Sequence, residues 1–292
     1  MKCIGVVRMA GLAILLCCLA TNARAQPRIA ALSWEMVEHL LKLGITPVAV
    51  ADAPDYRSWV VHPALPPGVP NAGTRTEPNL ELLAQLRPEL ILITPLLEDI
   101  RDKLERIAPV VSYDDFTQDQ DNLLMQRENF LALAQRVGRT PQAHQQLAAM
   151  DDSIARMRER LIQHFGAQLP DTTVIRFASP TVVYINGPNS MPQHAMQLLG
   201  LQPAYDAPVS RWGNIQTSVT VLGNIDDGAV LYIEPFAQGE RLFATQLWQA
   251  MPFVRSRRFA GMRSTWTHGG VFCVEYLAAA ITDALLTLPP RH

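Results

Sequence analysis

The residues best suited to chemistry in this chain are scattered aromatic and cationic side chains rather than a catalytic set. Trp59 lies in Tyr56-Arg57-Ser58-Trp59, just ahead of a proline-rich stretch. Arg75 lies in Gly73-Thr74-Arg75-Thr76-Glu77-Pro78-Asn79. Trp212 lies in Ser210-Arg211-Trp212-Gly213-Asn214, and Trp266 in Ser264-Thr265-Trp266-Thr267-His268-Gly269-Gly270. Each one alone reads as packing before function. Loop indoles without a partner are poor choices for solubility, however, and two of these positions fall in each half of the chain. Together they suit a ligand cleft in which indoles supply broad apolar contact and an arginine fork donates to clustered anionic oxygens. A ferric siderophore presents both features. Its iron is already six-coordinate, so a protein needs donors to the oxygens around the iron and walls for the backbone, and no metal ligands of its own.

Other chemistry is scarce. There is no G-x-S-x-G elbow, P-loop, H-E-x-x-H or G-x-G-x-x-G motif. His39, His144, His164 and His194 fall on helical patterns and read as surface or partly buried structural residues. No cluster has metal-ligand spacing. Arg75 has a competing reading as a turn ion pair with Glu77, and Glu77 also suits the start of a helix. Cys273, among apolar residues on a helical pattern, reads as an inert buried thiol, with a nucleophile as the alternative.

The elements that must position these residues alternate. Strands are predicted at Arg28–Leu32, Pro47–Ala51, Leu90–Thr94 and Val110–Tyr113. Helices fall between them at Trp34–Leu43, with Ser33 as N-cap, at Pro78–Leu86 and at Asp99–Ile107. Asp55–Pro70 reads as irregular. A long helix starts with Thr140 as N-cap and Pro141 in the first turn. It carries an apolar stripe of Leu147, Met150, Ile154, Met157 and Leu161 and ends at Gly166, a rod of about 37 Å. Coiled-coil pairing with another chain is the alternative use of that stripe. The second half repeats the scheme, with strands at Thr173–Ala178, Thr181–Ile185, Ala229–Ile233 and Arg258–Met262 and helices at Met191–Leu199, Leu242–Val254 and Gly270–Leu286. A faint duplication supports this: Leu43-Gly44-Ile45-Thr46-Pro47-Val48 is echoed by Leu199-Gly200-Leu201-Gln202-Pro203-Ala204. The expected architecture is α/β with parallel layering, two Rossmann-like lobes bridged by one long helix and a ligand cleft between them.

The 292 residues contain 48% apolar and 18% charged residues, enough for a substantial core. The first 25 have a positive start (Lys2, Arg8), a short apolar run and Ala23-Arg24-Ala25, which predicts an export signal cleaved after Ala25. Lipidation at Cys17 or Cys18 is the alternative fate. Without that leader, 22 basic residues face 27 acidic ones, a net charge of −5, so a nucleic-acid footprint is absent. Cys273 is then the only cysteine, which excludes an internal disulfide and fits a bacterial periplasm. The expected divisions are 1–25 signal, 26–139 first lobe, 140–166 connecting helix and 167–292 second lobe.

The same residues carry a family resemblance. Tyr56-Arg57-Ser58-Trp59-Val60, Arg75-Thr76-Glu77-Pro78-Asn79-Leu80-Glu81-Leu82-Leu83, Arg106-Ile107-Ala108-Pro109, Gly187-Pro188-Asn189-Ser190 and Leu247-Trp248-Gln249-Ala250-Met251-Pro252-Phe253-Val254-Arg255 are its most specific stretches. Over nearly the whole mature chain, the sequence resembles periplasmic ferric hydroxamate siderophore-binding proteins of the FhuD type, in the helical-backbone cluster of ABC-transporter binding proteins. The resemblance implies small domain motion, a monomer without a cofactor, no catalysis, and delivery of cargo to an inner-membrane ABC permease. It implies ligand-binding roles for Trp59, Arg75, Trp212 and Trp266, with Asn214, His268 and Arg211 beside them. The arginine and the second-lobe tryptophan are expected to flank the iron–hydroxamate centre.

Three departures stand out. Pro95-Leu96-Leu97-Glu98 has no counterpart of a family tyrosine, His268 replaces another, and Arg211 stands where an apolar residue is usual, which hints at a more anionic cargo. Permease docking is expected at Asp102 or Glu98 in the first lobe and Glu240 in the second. Haem or cobalamin uptake on the same fold is the second binding reading, with His268 or Tyr113 as haem ligand. A periplasmic enzyme is the third, and it lacks a convincing nucleophile–base pair.

Overall fold

A computed structural model of the protein describes residues 26–290; the predicted export signal at 1–25 lies outside the described residues. Strand β1 (Ile29–Ala31) is buried throughout and leads through Ser33 into helix α1 (Trp34–Lys42). Ser33 occupies the N-cap position with extended backbone but makes no capping bond. Next come β2 (Ala49–Val50), α2 (Leu80–Leu86), β3 (Leu90–Ile93), α3 (Arg101–Glu105) and β4 (Val110–Ser112). The Asn79 side chain accepts from Leu82 N–H and starts α2. The four strands form one sheet in the order β2-β1-β3-β4, parallel at every pairing.

Helix α4 (Asn122–Arg136) then leads into α5 (Thr140–Phe165), which is 26 residues and so about 39 Å long. Leu147, Met150, Ile154 and Leu161 of α5 are buried and Met157 is partly so. That stripe is covered within the chain, by α4 on one side and by α6 (Met191–Leu199) and the last helix on the other. The second sheet contains β5 (Thr172–Ser179), β6 (Val182–Asn186), β7 (Asn214–Ser218), β8 (Ala229–Ile233) and β9 (Phe259–Met262), in the order β7-β6-β5-β8-β9. Short helices α7 (Gly239–Phe243), α8 (Gln246–Gln249) and α9 (Pro252–Arg255) precede β9, and α10 (Cys273–Leu285) follows it. Two α/β lobes bridged by the long helix result. No helix among the described residues is long and apolar enough to cross a membrane.

The structure departs from the sequence reading in identifiable ways. The second sheet is mixed, because β6 runs antiparallel to both β5 and β7. Residues 55–70 are not irregular throughout, since an α-turn Ala53–Asp55 runs into a π-helical turn Tyr56–Val60. The Arg57 guanidinium donates to the carbonyls of Pro66 (2.9 Å) and Val69 (3.2 Å) and ties down the proline-rich loop. The expected helix 99–107 is a 3-10 turn (Pro95–Ile100) followed by α3. The expected helix 242–254 is broken into α7, α8 and α9, where the Thr245 cap and Pro252 each restart the chain. Thr140 is the first helical residue rather than the cap, which falls to Arg139. His39 is wholly buried, not at the surface.

That burial belongs to the contact that joins the lobes. On α1, Glu38 Oε1 accepts from Phe272 N–H (2.8 Å) and His39 Nε2 accepts from Val271 N–H (3.1 Å), both at the start of α10. Lys42 on the same helix pairs with Glu275 (3.6 Å) and lies over the Phe272 ring (4.4 Å). Gly269 and Gly270 let the backbone approach this closely. A Cβ on Gly270 would lie 2.7 Å from Glu38 Oε1 and also collide with the His39 ring.

Burial pushes Glu38 up to about 8 and His39 down to about 3. Folded Glu38 therefore keeps a proton that the unfolded chain releases above its ordinary 4.5. The stability this supplies is complete below pH 4.5 and is lost as pH rises through 8. His39 acts on the acid side, where stability is lost as pH falls from 6.5 towards 3. Between pH 6.5 and 8.5 the melting temperature should thus decline, and Glu38→Gln, which still accepts from Phe272, should make that decline shallower. Parallel calorimetric curves for the two proteins would count against this assignment.

Candidate functional site

The cleft between the lobes forms at the carboxyl ends of the parallel strands, where α/β sheets place ligands. It has two parts that share Arg75, Asn214, Trp266 and His268. The larger, about 450 Å³, is also lined by Trp34, Asp55, Trp59, Arg176 and Tyr184. The smaller, about 360 Å³, is also lined by Ser33, Glu35, Leu96, Asp115, Phe116 and Trp212.

Arg75 is held by local backbone geometry. Its backbone N–H and Nε each donate to Asp52 Oδ2 at 3.1 Å. Asp52 has left-handed backbone (φ 49°), and its N–H donates to the Gly73 carbonyl at 2.7 Å. Gly73 is required at φ 87°, since a Cβ there would meet the Glu77 carbonyl oxygen at 2.7 Å. The guanidinium stacks 3.8 Å from the centre of the Trp34 ring. The turn pair with Glu77 is therefore replaced by a pair with Asp52. With Nε committed, the two Nη groups remain to donate into the cleft.

Trp34 anchors the wall behind this arginine. Its Nε1 donates to the Ala51 carbonyl (3.1 Å), and its ring meets Trp266 edge-on with centroids 4.9 Å apart. Trp266 is fixed from behind, where Cys273 Sγ donates to its carbonyl at 3.0 Å. Burial raises the Cys273 thiol well above its ordinary range, which keeps it protonated. The His268 ring sits among Phe116 (5.7 Å), Trp266 (5.9 Å) and Trp212 (6.1 Å). Desolvation lowers its pKa, so the imidazole is neutral at neutral pH.

Charge in the cleft is unevenly spread. Glu35 is pushed up to about 7, first by burial and then by the nearby Asp115 carboxylate. Arg176, paired across β5 and β6 with Tyr184, donates to the Thr265 carbonyl at 3.4 Å. It remains a cation even though burial lowers its pKa.

Of the positions singled out in the sequence, Trp59, Arg75, Trp212, Asn214, Trp266 and His268 converge on this cleft. Trp59 is 45% exposed and stands on the π-helical turn rather than in a loop, while Trp212 is 47% exposed. Arg211 lines neither part; it is exposed, with its guanidinium 5.1 Å from the Trp212 ring. Tyr113 is buried and also lines neither part. Asp102 and Glu240 are exposed. Glu98 is held to about 2 by hydrogen bonds from Arg101, at 2.6 and 2.8 Å. Sequence reasoning missed Trp34, Glu35, Asp52, Asp115 and Phe116. The available signal was position, for Trp34 and Glu35 directly follow the first strand, while Asp115 and Phe116 follow the fourth.

The chain matches the family model described as "Periplasmic binding protein" over residues 29–265. It is 34% identical over 260 residues to the iron(3+)-hydroxamate-binding protein FhuD of Escherichia coli, spanning 88% of this chain and 86% of that one. Its structure matches the siderophore-binding protein FhuD of Vibrio cholerae, solved with bound Fe3+-Desferal, with a TM-score of 0.86 and 38% identity, over 91% of this chain and 100% of that one. Staphylococcus aureus FhuD2 with bound ferrioxamine B shares the fold at a TM-score of 0.70 and 16% identity, over 89% and 98% of the two chains. The chain belongs to the periplasmic binding protein family.

The burial of His268 gives a check that needs no ligand. Followed by NMR across pH, its ring should titrate with a midpoint below the ordinary 6.5. A half-protonated ring near pH 6.5 would show that the cleft is wetter than this geometry requires.

Proposed function

We propose that this member of the periplasmic binding protein family captures a ferric hydroxamate siderophore in the cleft between its lobes and delivers it to an inner-membrane ABC permease. The observation that carries the reading is Arg75. Its guanidinium is stacked on Trp34 and oriented by Asp52, and the residue lines a cavity walled by indoles from both lobes. A ferric hydroxamate core has six oxygens around the iron and an apolar backbone outside them. Arginine donates to those oxygens, and Trp59, Trp212 and Trp266 cover the backbone, with Asn214 and His268 as neutral polar partners. Iron here is cargo held by the siderophore, and the relatives' binding role supports transport without catalysis or a resident cofactor.

In this reading the mature protein starts at Gln26, acts in the periplasm as a monomer, and divides into lobes 26–139 and 167–292 joined by the helix at 140–166. Asp102 in the first lobe and Glu240 in the second are the docking acids for the permease. Glu98, neutralised by Arg101, is the weaker candidate.

Tryptophan fluorescence of the mature chain, titrated with ferric hydroxamates, their iron-free forms and hemin, tests the cargo. Saturable quenching by a ferric hydroxamate and little by its iron-free form is expected. Arg75→Ala should weaken binding about ten- to a hundredfold, the scale of a charge-assisted hydrogen bond of about 1.5–3 kcal/mol, and leave the melting temperature nearly unchanged. Equal affinity would remove Arg75 from the site, and saturable binding of hemin alone would replace the cargo.

The docking assignment is tested separately. Asp102→Lys and Glu240→Lys should keep siderophore affinity while lowering uptake into cells that depend on this protein. Wild-type uptake by both variants would place the docking surface elsewhere.

A further inference from the structure

We infer that Arg176, with Tyr184 beside it, forms a carboxylate subsite on the second-lobe wall of the larger part of the cleft, and that the cargo is a ferric hydroxamate carrying a carboxylate outside its iron centre. This rests on the hydroxamate reading of the cleft and narrows its ligand class.

The strand pattern places the cation. On β5, Ile175 and Phe177 belong to the apolar core on one face of the second sheet. Val174 faces the other way, into the core shared with α5 and α10. Two residues further along that face, Arg176 lines the 450 Å³ cavity instead. Tyr184, its cross-strand neighbour on β6, lines the same cavity.

The chain does not balance this charge. Arg176 is half-buried in a strand whose residues 172–175 and 177 are buried. Taking a cation out of water is costly without an anionic partner. Among the described residues Arg176 makes no ion pair. Its one hydrogen bond runs from an Nη to the Thr265 carbonyl at 3.4 Å, and its other two nitrogens have no acceptor in the chain and are open to solvent. Arg75 lines the same cavity but is balanced by Asp52 at 3.1 Å. Asp55, the carboxylate in this lining, is exposed and pairs with neither arginine.

Three hydroxamates around Fe3+ give a neutral core, whose oxygens suit the donors of Arg75. Such a core brings no charge to offset a second cation. A carboxylate on the ligand does, since its two oxygens accept from a guanidinium fork, and the Tyr184 hydroxyl, without a partner in the chain, can donate to the same group. His268 does not compete for that anion: desolvation first, and the charges of Arg176 and Arg75 after it, disfavour a proton on its ring. Arg211, which hinted at an anionic cargo in the sequence, lies outside the lining, and Arg176 supplies the cation inside it.

The test uses ferrioxamine B succinylated at its terminal amine, which ends in a carboxylate, and the methyl ester of the same complex, which is uncharged there. Calorimetry reads the ratio of their affinities for the mature wild type, Arg176→Gln and Arg176→Met. The wild type should favour the free carboxylate about tenfold or more, and both variants should bring the ratio close to one. Binding of the ester reports that a variant is folded. Equal wild-type affinity for the two complexes overturns the subsite and leaves the hydroxamate reading standing. A ratio maintained in the variants, even where both affinities fall alike, overturns the assignment to Arg176 and reduces its part to holding the Thr265 backbone. Failure of the wild type to bind either complex overturns the hydroxamate reading and the subsite together.

Discussion

The structure turns on two hydrogen bonds between the lobes, from Phe272 N–H to Glu38 and from Val271 N–H to His39. Both acceptors are buried side chains on α1, and both donors are backbone groups at the start of α10. Separating them would leave buried polar groups without partners, at a cost of about 1–3 kcal/mol each. The Lys42–Glu275 pair extends the contact, and α5 packs against helices of both lobes. The loop that ends in Gly269-Gly270 is thereby fixed on α1. That loop carries Trp266 and His268, while the start of α1 carries Trp34 and Glu35. One interface therefore sets the positions of ligand-facing residues from both lobes.

The presentation of Arg75 follows the same economy. A left-handed Asp52 and a left-handed Gly73 close a turn whose backbone bond (2.7 Å) brings the Asp52 carboxylate under the arginine. Trp34 supports the guanidinium from below and is itself held by the Ala51 carbonyl. Side-chain entropy that a free arginine would lose on binding has already been lost in the fold, so more of each new hydrogen bond appears as affinity.

Much of this was legible in the sequence, for reasons that can be named. The stripe on α5, the Gly166 stop and the apolar strands β3 and β8 follow from period and capping, which act locally. Trp59, Trp212 and Trp266 stood out because indoles near chain turns have no local reason to be there. What escaped depends on distant partners. Asp52 is one acid among many until its turn closes on residue 75. Helix α4 buries Asn122, Gln126 and Asn129, so its polar residues do not mark its outer face. The antiparallel β6 follows β5 by a tight hairpin, where alternation alone suggested another parallel strand. His39 read as a surface or partly buried residue of α1, because nothing in the first 50 residues announces that residues 269–272 will cover it and Glu38.

These constraints bear on how such a cleft discriminates. Indole walls tolerate many backbones, since apolar contact is non-directional and varies smoothly with area. Shape alone therefore separates related ferric hydroxamates weakly. Fixed charges separate them sharply, because a buried charge without a partner costs far more than a lost methylene. Arg75 with Asp52 is a balanced pair that presents a guanidinium at the cleft. The charged and aromatic residues of the cleft, from both lobes, are held in register by the same contact between α1 and α10.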